Sequence, residues 1–338
     1  MTMRRASTLT EVAQRAGVSL TTASKAINGR SRVSEATRAR VLKAARELSF
    51  VPNPMARSLI SGRSGTVGLI IKDSLTQRFM APIMLGADAA LTEINLSMIT
   101  TDARGDTQRL RTLAEMMRQR KVDGVLVIGD DNVLTPSISE LLDVPVVYLY
   151  GETGRPQDIV HVPDDRASAR EITEHLLGLG RRRIVHLTGP AGARAVVERQ
   201  LGMNGCLTDA GLALAAPVRL GEWSQHWGRA AAREMLEAAR DLDAVICGSD
   251  QIAAGVVDAV LASGRRIPDD VAITGFDNWR VFAMETEPPL TTVDMNLEAL
   301  GSAAVRDLFG VIDGMPVGGG VRLHRCSLIV RGSTTSVS

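Results

Sequence analysis

The sequence predicts an α/β chain: an N-terminal three-helix head built on a helix-turn-helix, a hinge helix, and then two doubly wound parallel-sheet subdomains. Three observations carry this. The first 63 residues hold 12 Lys and Arg against 3 Asp and Glu, a net +9, whereas the remainder holds 27 against 35, a net −8. Helical hydrophobic periodicity fills the basic segment, which separates it from a solvated basic tail. From Thr66 onward, short Val/Ile/Leu-rich runs alternate with helical patterns in βαβ order. At 338 residues and 45% hydrophobic, the chain is long enough for two or three domains.

In the head, Thr8-Leu9-Thr10-Glu11 has the form of a capping box, and Leu9, Val12, Ala13 and Ala16 recur at helical spacing until Gly17. This predicts a helix over about Leu9 to Ala16. Val18 is expected to be buried, and Ser19 caps a second helix from Leu20 to Asn28 whose inner face is Ala23, Ala26 and Ile27. The small inner residues let the two helices cross closely, and in a helix-turn-helix the second helix enters the major groove. Its outer face carries Leu20, Thr21, Ser24, Lys25 and Asn28. Lysine can donate to guanine, Thr21 and Ser24 can reach bases or phosphates, Asn28 suits adenine or backbone, and Leu20 suits a thymine methyl. Ser34 caps a third helix with the stripe Val41, Leu42, Ala45 and Leu48; Arg32 and Thr37 are placed for phosphates. Double-stranded DNA is therefore the expected partner of the head.

Val51-Pro52-Asn53-Pro54 breaks the third helix, and Pro54–Leu59 forms a hinge segment shorter than the ~12–15 residues an isolated helix needs in water. The runs T-L-T-E-V-A-Q-R-A-G-V-S, N-G-R-S-R-V-S-E-A-T-R and V-P-N-P-M-A-R-S-L resemble the lactose-repressor (LacI/GalR-type) family of bacterial transcriptional regulators. The resemblance covers nearly the whole chain. It implies paired hinge helices in the DNA minor groove, with Leu59 wedged into a base step and Ala56 allowing the pair to approach. It also implies that Thr8, Leu9 and Ser19 belong to the DNA-binding set. The recognition helix departs from the family in having Ala23 and Lys25 where valine and arginine are common, and lysine is a point charge where arginine is a bidentate fork.

The body is expected to have strands over Thr66–Ile71, Leu96–Thr100, Gly124–Ile128 and Pro145–Leu149. The pattern restarts near Arg183 with Ile184–Leu187, Asp243–Cys247 and Val271–Thr274, and Arg322–Val330 reads as a last strand. Two similar subdomains of the periplasmic-binding-protein type follow. The division is head 1–51, hinge 52–63 and core 64–338. Within the core, one subdomain spans about 65–163 plus 295–324 and the other about 164–294 plus 325–338.

Ligands of open α/β sheets sit beyond the carboxyl ends of the strands. Asp73, Arg78 and Phe79 follow the first strand, Tyr150 the fourth, Ser249 and Asp250 a later one, and Asp277 the strand after Val271; Trp223 lies in a separate loop. Carboxylates, an arginine and aromatic plates suit a sugar, whose hydroxyls need paired donors and acceptors and whose C–H face stacks on a ring. The resemblance assigns Arg199, Trp223, Ser249, Asp250 and Asp277 to the effector; Ser249 and Tyr150 stand where relatives have asparagine and aspartate. Asp250 equally fits a helix N-cap. Met116-Met117 reads as helix core and Arg181-Arg182-Arg183 as a solvated loop.

Cys206, Cys247 and Cys326 are scattered, as are the five histidines, so neither a disulfide framework nor a metal site is expected. No phosphate-binding or nucleophile-elbow motif occurs, which argues against an enzyme, and no cofactor is expected. No apolar run reaches membrane length, and the N-terminal residues lack an apolar leader region, so a cytoplasmic protein is expected. The resulting expectation is a homodimeric repressor whose operator affinity is set by a small-molecule effector, a sugar. The rivals are an enzyme acting on a sugar or nucleotide, a transport solute-binding protein and a sequence-neutral architectural DNA binder.

Overall fold

A computed structural model describes residues 7–27, 33–50, 63–73, 78–129 and 134–335. The chain divides into two compact units, Met1–Gly65 and Thr66–Ser338. The hinge residues Pro54–Leu59, with Ala56 and Leu59, and the DNA-contact candidates Asn28 and Arg32 lie outside the described residues.

The first unit contains α1 (Leu9–Ala16), α2 (Leu20–Ile27) and α3 (Glu35–Glu47). The Thr8 side chain accepts the Glu11 N–H, and the Thr8 N–H donates to the Glu11 carboxylate at 2.7 Å, so the capping box is complete. Gly17 ends α1 at φ +63°, in the left-handed region that glycine enters without a Cβ clash. Val12, Ala13, Ala23, Ala26, Val41 and Ala44 form the small core, with Leu9, Val18, Ile27 and Leu48 packed around it. Leu42 does not belong to that stripe. It is exposed and Ala44 takes the inner position, because 41, 44 and 48 follow the three-and-four spacing of one helix face while 42 lies about 100° around it. Val18 is half-buried rather than buried.

The second unit opens with β1 (Thr66–Ile71), β2 (Ser97–Asp102), β3 (Gly124–Ile128), β4 (Val146–Leu149) and β5 (Ile159–Pro163). It continues with β6 (Ile184–Thr188), β7 (Arg219–Leu220), β8 (Ala244–Cys247) and β9 (Ala272–Thr274), and closes with β10 (Thr292–Asp294), β11 (Gly320–His324) and β12 (Ser327–Ile329). A six-stranded parallel sheet has the order β11-β5-β4-β3-β1-β2, and a four-stranded parallel sheet the order β7-β6-β8-β9. The expected last strand over Arg322–Val330 is two strands. β11 pairs with β5 in the large sheet, whereas β12 pairs antiparallel with β10. The chain leaves one sheet at Arg325-Cys326, where Cys326 turns inward and is buried. The apolar strand β5 and the short strands β7 and β10 had no strand expectation.

Nearly unbroken burial of β3, β4, β5, β6 and β8 reflects helices on both faces of each sheet. The helices Met80–Glu93 and Leu297–Ile312, over 200 residues apart in sequence, pack together on the large sheet at two glycines. A Cβ on Gly86 would strike the carbonyl of Glu298, and one on Gly301 the carbonyl of Ile83. Met117 is buried in the core and Met116 half-buried against it, and the three cysteines are free and buried. Arg182 and Arg183 are exposed, as expected of a solvated loop, and Asp243 accepts both of their backbone N–H groups, whereas Arg181 is half-buried and donates to the carbonyls of Pro268 and Asp269.

Gly86→Ala is therefore expected to destabilise the protein by ~1–3 kcal/mol through overpacking, although alanine is worth up to about 1 kcal/mol over glycine in an unconstrained helix. A urea midpoint equal to or above that of the parent would show that the two helices do not cross this closely.

Candidate functional site

On α2 the residues divide by physical role. Leu20 is 51% exposed, Thr21 and Lys25 are exposed and Ser24 is half-buried, while Ala23 and Ala26 face the core. The side chains of Thr8 and Ser19 act as caps: Ser19 Oγ accepts the Thr22 N–H at 3.2 Å and shares a hydroxyl proton with Thr22 Oγ1 at 2.8 Å. Thr37 caps nothing itself; its N–H donates to Ser34 Oγ and its Oγ1 accepts from the same hydroxyl. Leu9 is half-buried against the head core. Arg15 and Glu47 pair at 3.0 Å between α1 and α3, both partly exposed. The outward groups thus form a polar face, with Leu20 as its apolar member, on a helix whose start is fixed by Ser19.

In the body, the segments after β1, β4, β7 and β9 bring five of the remaining candidates together. Phe79 and Tyr150 stack with ring centroids 3.9 Å apart and an interplanar angle of 20°. Tyr150 holds φ +63° and its N–H donates to the His161 carbonyl, so backbone strain is tolerated to turn the ring toward Phe79. Arg78 donates from Nε and pairs through Nη2 with the same Asp277 oxygen, Oδ2, at 2.8 and 2.7 Å. Its guanidinium lies over the Trp223 ring, 5.9 Å from the centroid. Asp277 has φ +105° and Asn278 φ +49°, both in the left-handed half of backbone space. Beside this group is a cavity of about 850 Å³ lined by Arg78, Phe79, Asp277, Trp279, Met295 and Leu297 among others.

Four candidates stand elsewhere. Arg199 is only 2% exposed; its Nε donates to Asp165 Oδ1 at 2.8 Å, its Nη1 donates to the Gly248 carbonyl at 2.6 Å, and its guanidinium lies 4.0 Å over the Phe276 ring. Ser249 caps the helix Asp250–Ala262, accepting the Ile252 N–H, so the cap is Ser249 and not Asp250. Asp250 is fully buried and accepts from Thr292 Oγ1 at 2.6 Å and from the Trp279 N–H at 2.7 Å. Asp250 thereby holds Trp279, which lines the cavity, while Ser249 serves the helix start. Asp73 is half-buried at the end of β1, next to Gly105, and is not on the cavity wall.

Sequence reasoning missed Asp165, Arg194 and Glu152. Asp165 is 3% exposed and takes Arg199 on one oxygen and Arg194 on the other, and Arg194 reaches Glu152 at 2.6 Å. The signal was an Asp-Asp pair just past β5, hidden because β5 itself was not expected. Asn278, beside Asp277 at the same strand end, donates to Asp294 and accepts from Arg331, which fixes the loop after Asp277.

Burial raises the Asp277 pKa above the ordinary aspartate value, opposed by Arg78 and Arg199. Asp250 is raised well above it, by burial first and then by the charge of Asp277. Burial likewise depresses His186, to about 4.

A helix-turn-helix with a polar outward face, on the same chain as a two-sheet core with polar and aromatic groups gathered at its strand ends, defines a DNA-binding transcriptional regulator. Residues 8–53 match the family of bacterial regulatory proteins of the lacI type, and residues 173–334 match a periplasmic binding protein-like domain. The chain is 36% identical over 324 residues to the HTH-type transcriptional regulator CelR of Thermobifida fusca, covering 93% of this chain and 94% of that one. It is 30% identical over 335 residues to the HTH-type transcriptional repressor CytR of Escherichia coli K12, covering 98% and 97%. A solved CelR–cellobiose complex superposes with TM-score 0.69 at 33% identity, covering 97% of this chain and 99% of that one. A lac repressor dimer bound to operator and the anti-inducer ONPF superposes with TM-score 0.77 at 26% identity, covering 98% and 100%. The chain belongs to the lacI family.

The raised pKa of Asp250 leads to a sign-specific expectation. The folded state holds this proton more tightly than the unfolded chain, so its contribution is full below the ordinary value of 3.8 and is lost as pH rises through the folded pKa. Asparagine mimics the protonated acid and can satisfy both Thr292 and the Trp279 N–H. Asp250→Asn is expected to leave thermal stability at pH 7 unchanged or higher. Asp250→Ala is expected to cost ~1–3 kcal/mol for each buried partner left unmet. Equal losses in the two variants would contradict this.

Proposed function

We propose that the chain is a repressor that binds specific operator DNA as a homodimer in the cytoplasm, and that a sugar bound at the core sets its operator affinity. The observation that carries this reading is the pairing, on one chain, of the α2 face of Leu20, Thr21, Ser24 and Lys25 with the aromatic and carboxylate cluster of Phe79, Tyr150, Trp223 and Asp277. Among the described residues no helix is long and apolar enough to cross a membrane.

The similarity to a cellobiose-bound regulator and to an operator-bound dimer supports the ligand class and the assembly. The separate sheets support dividing the core into 65–163 plus 295–324 and 164–294 plus 325–338, since β11 returns to the six-stranded sheet, whereas β12 pairs with β10 and the following Ser333 carbonyl accepts the Ile273 N–H on β9. Lys25, Thr21, Ser24 and Leu20 read base edges, Asn28 meets adenine or the backbone, and Thr8, Leu9, Ser19, Arg32 and Thr37 set the head on the backbone; Leu59 wedges into a base step and Ala56 lets the paired hinges approach. Arg78, Phe79, Tyr150, Trp223 and Asp277 form the effector site, with Arg199, Ser249 and Asp250 holding its shape, while Asp73 stands apart from it beside Gly105.

Selection from randomised duplexes tests the DNA half of this reading. It is expected to return an inverted repeat, and Lys25→Ala is expected to relax one position per half-site at a cost of ~1–3 kcal/mol. Uniform weakening on every duplex would favour a sequence-neutral binder. Mobility shifts on the selected operator with cellobiose and other neutral sugars test the effector half, and equal operator affinity with every sugar would refute it.

A further inference from the structure

We propose that Arg78 is a tethered competitor of the effector, holding the place on Asp277 and Trp223 that a sugar must take, and so sets which sugars the site accepts. The inference rests on the effector-site reading above and gives Arg78, already placed in that site, the role of setting specificity rather than of contacting the sugar.

The geometry is unusual for an arginine–carboxylate pair. In the common fork, two parallel N–H groups meet two carboxylate oxygens. Here both Nε and Nη2 of Arg78 reach Oδ2, while Oδ1 of Asp277 is buried and has no hydrogen-bond partner among the described residues. Half of the acceptor capacity of a buried carboxylate is therefore unused. Both residues hold their partners from opposite sheets: Arg78 precedes the helix that follows β1, and Asp277 follows β9. The same guanidinium lies over the Trp223 ring. One side chain thus contacts both the acceptor and the aromatic plate that a pyranose would need.

A ligand with two adjacent hydroxyls can donate to both oxygens of Asp277 and set a C–H face on the indole, which Arg78 in this pose does not do. Such a ligand satisfies Oδ1 as well as replacing the guanidinium on Oδ2. A ligand with a single donor only substitutes one partner for another and gains nothing at Oδ1. The side chain of Arg78 is 14% exposed and borders the 850 Å³ cavity, which gives the displaced guanidinium room beside water. Uncharged sugars with a free vicinal diol are the class this arrangement selects.

Calorimetric titration of the full chain with cellobiose, and with a panel of neutral mono- and disaccharides, compares the parent with Arg78→Met and Arg78→Lys. Removing a competitor raises the fraction of competent sites, so Arg78→Met is expected to bind every accepted sugar about tenfold more tightly. Deoxy sugars lacking the diol are expected to bind only that variant. Weaker binding by Arg78→Met would make Arg78 a ligand contact and overturn the proposal. A second arm needs no sugar: methylguanidinium is expected to raise the melting temperature of Arg78→Ala, but not of the parent or of Arg78→Ala/Asp277→Asn. No selective effect of methylguanidinium overturns the proposal whichever sugars bind. Selective rescue with no sugar binding in any form instead refutes the sugar reading and leaves the guanidinium place established.

Discussion

The carboxylate of Asp277 is withdrawn from water on a loop whose backbone is itself in an unfavourable conformation, and the surrounding polar contacts follow from holding it there. Residues with φ of +105° and +49° in succession persist only when neighbours over-determine them. The neighbours are identifiable. Asp250 accepts the Trp279 N–H, Asn278 bridges Asp294 and Arg331, and the Asp277 N–H donates to the Val293 carbonyl on β10. The loop is therefore pinned from the helix beneath it and from β10 beside it. A carboxylate presented in this way must be paired or protonated, and Arg78 supplies the pairing from the other sheet.

The same rule explains the rest of the polar core. Arg199 is as buried as Asp277, and Asp165 and the Gly248 carbonyl meet it, with the Phe276 ring beneath. Arg194 shares Asp165 and reaches Glu152. Each cation in the cluster has a carboxylate, so the region is close to neutral despite its density of charge. A neutral polyol that displaces Arg78 must meet the Asp277 carboxylate with its own hydroxyls while the guanidinium moves to water, whereas an anionic ligand would set a second negative charge against that carboxylate. An effector changes operator affinity only through contacts that differ between two states of the core. Pairs that join elements of both sheets, Arg78 with Asp277 above all, are the contacts able to differ.

How much of this was readable in the residues depended on whether a signal was local. The capping box of Thr8 and Glu11, the Gly17 stop and strands Thr66–Ile71 and Gly124–Ile128 are local, and the structure matches them residue for residue. Leu42 was misplaced because an apolar residue one step off a helix face still looks periodic in a short window. The single strand expected over Arg322–Val330 became two because sheet partners are a tertiary property: β11 is chosen by β5 and β12 by β10. In the site, the strand-end rule found Arg78, Phe79, Tyr150 and Asp277. It could not reveal that Arg78 would lie on Asp277 across 199 residues of sequence, nor that Asp165 would claim Arg199. Asp250 had two readings, effector contact and helix cap; Ser249 takes the cap, and Asp250 also supports the loop at Trp279, a role neither reading contained.

The central claim is that one core site and one DNA-reading face are thermodynamically linked. The most direct measurement is the affinity of cellobiose, or of whichever neutral sugar the panel returns, for the free chain and for the operator-bound chain. The account requires the ratio of those two affinities to equal the ratio of operator affinities with and without the sugar. Identical sugar affinity in the two forms, alongside a sugar-dependent operator affinity, would break the linkage and contradict the account.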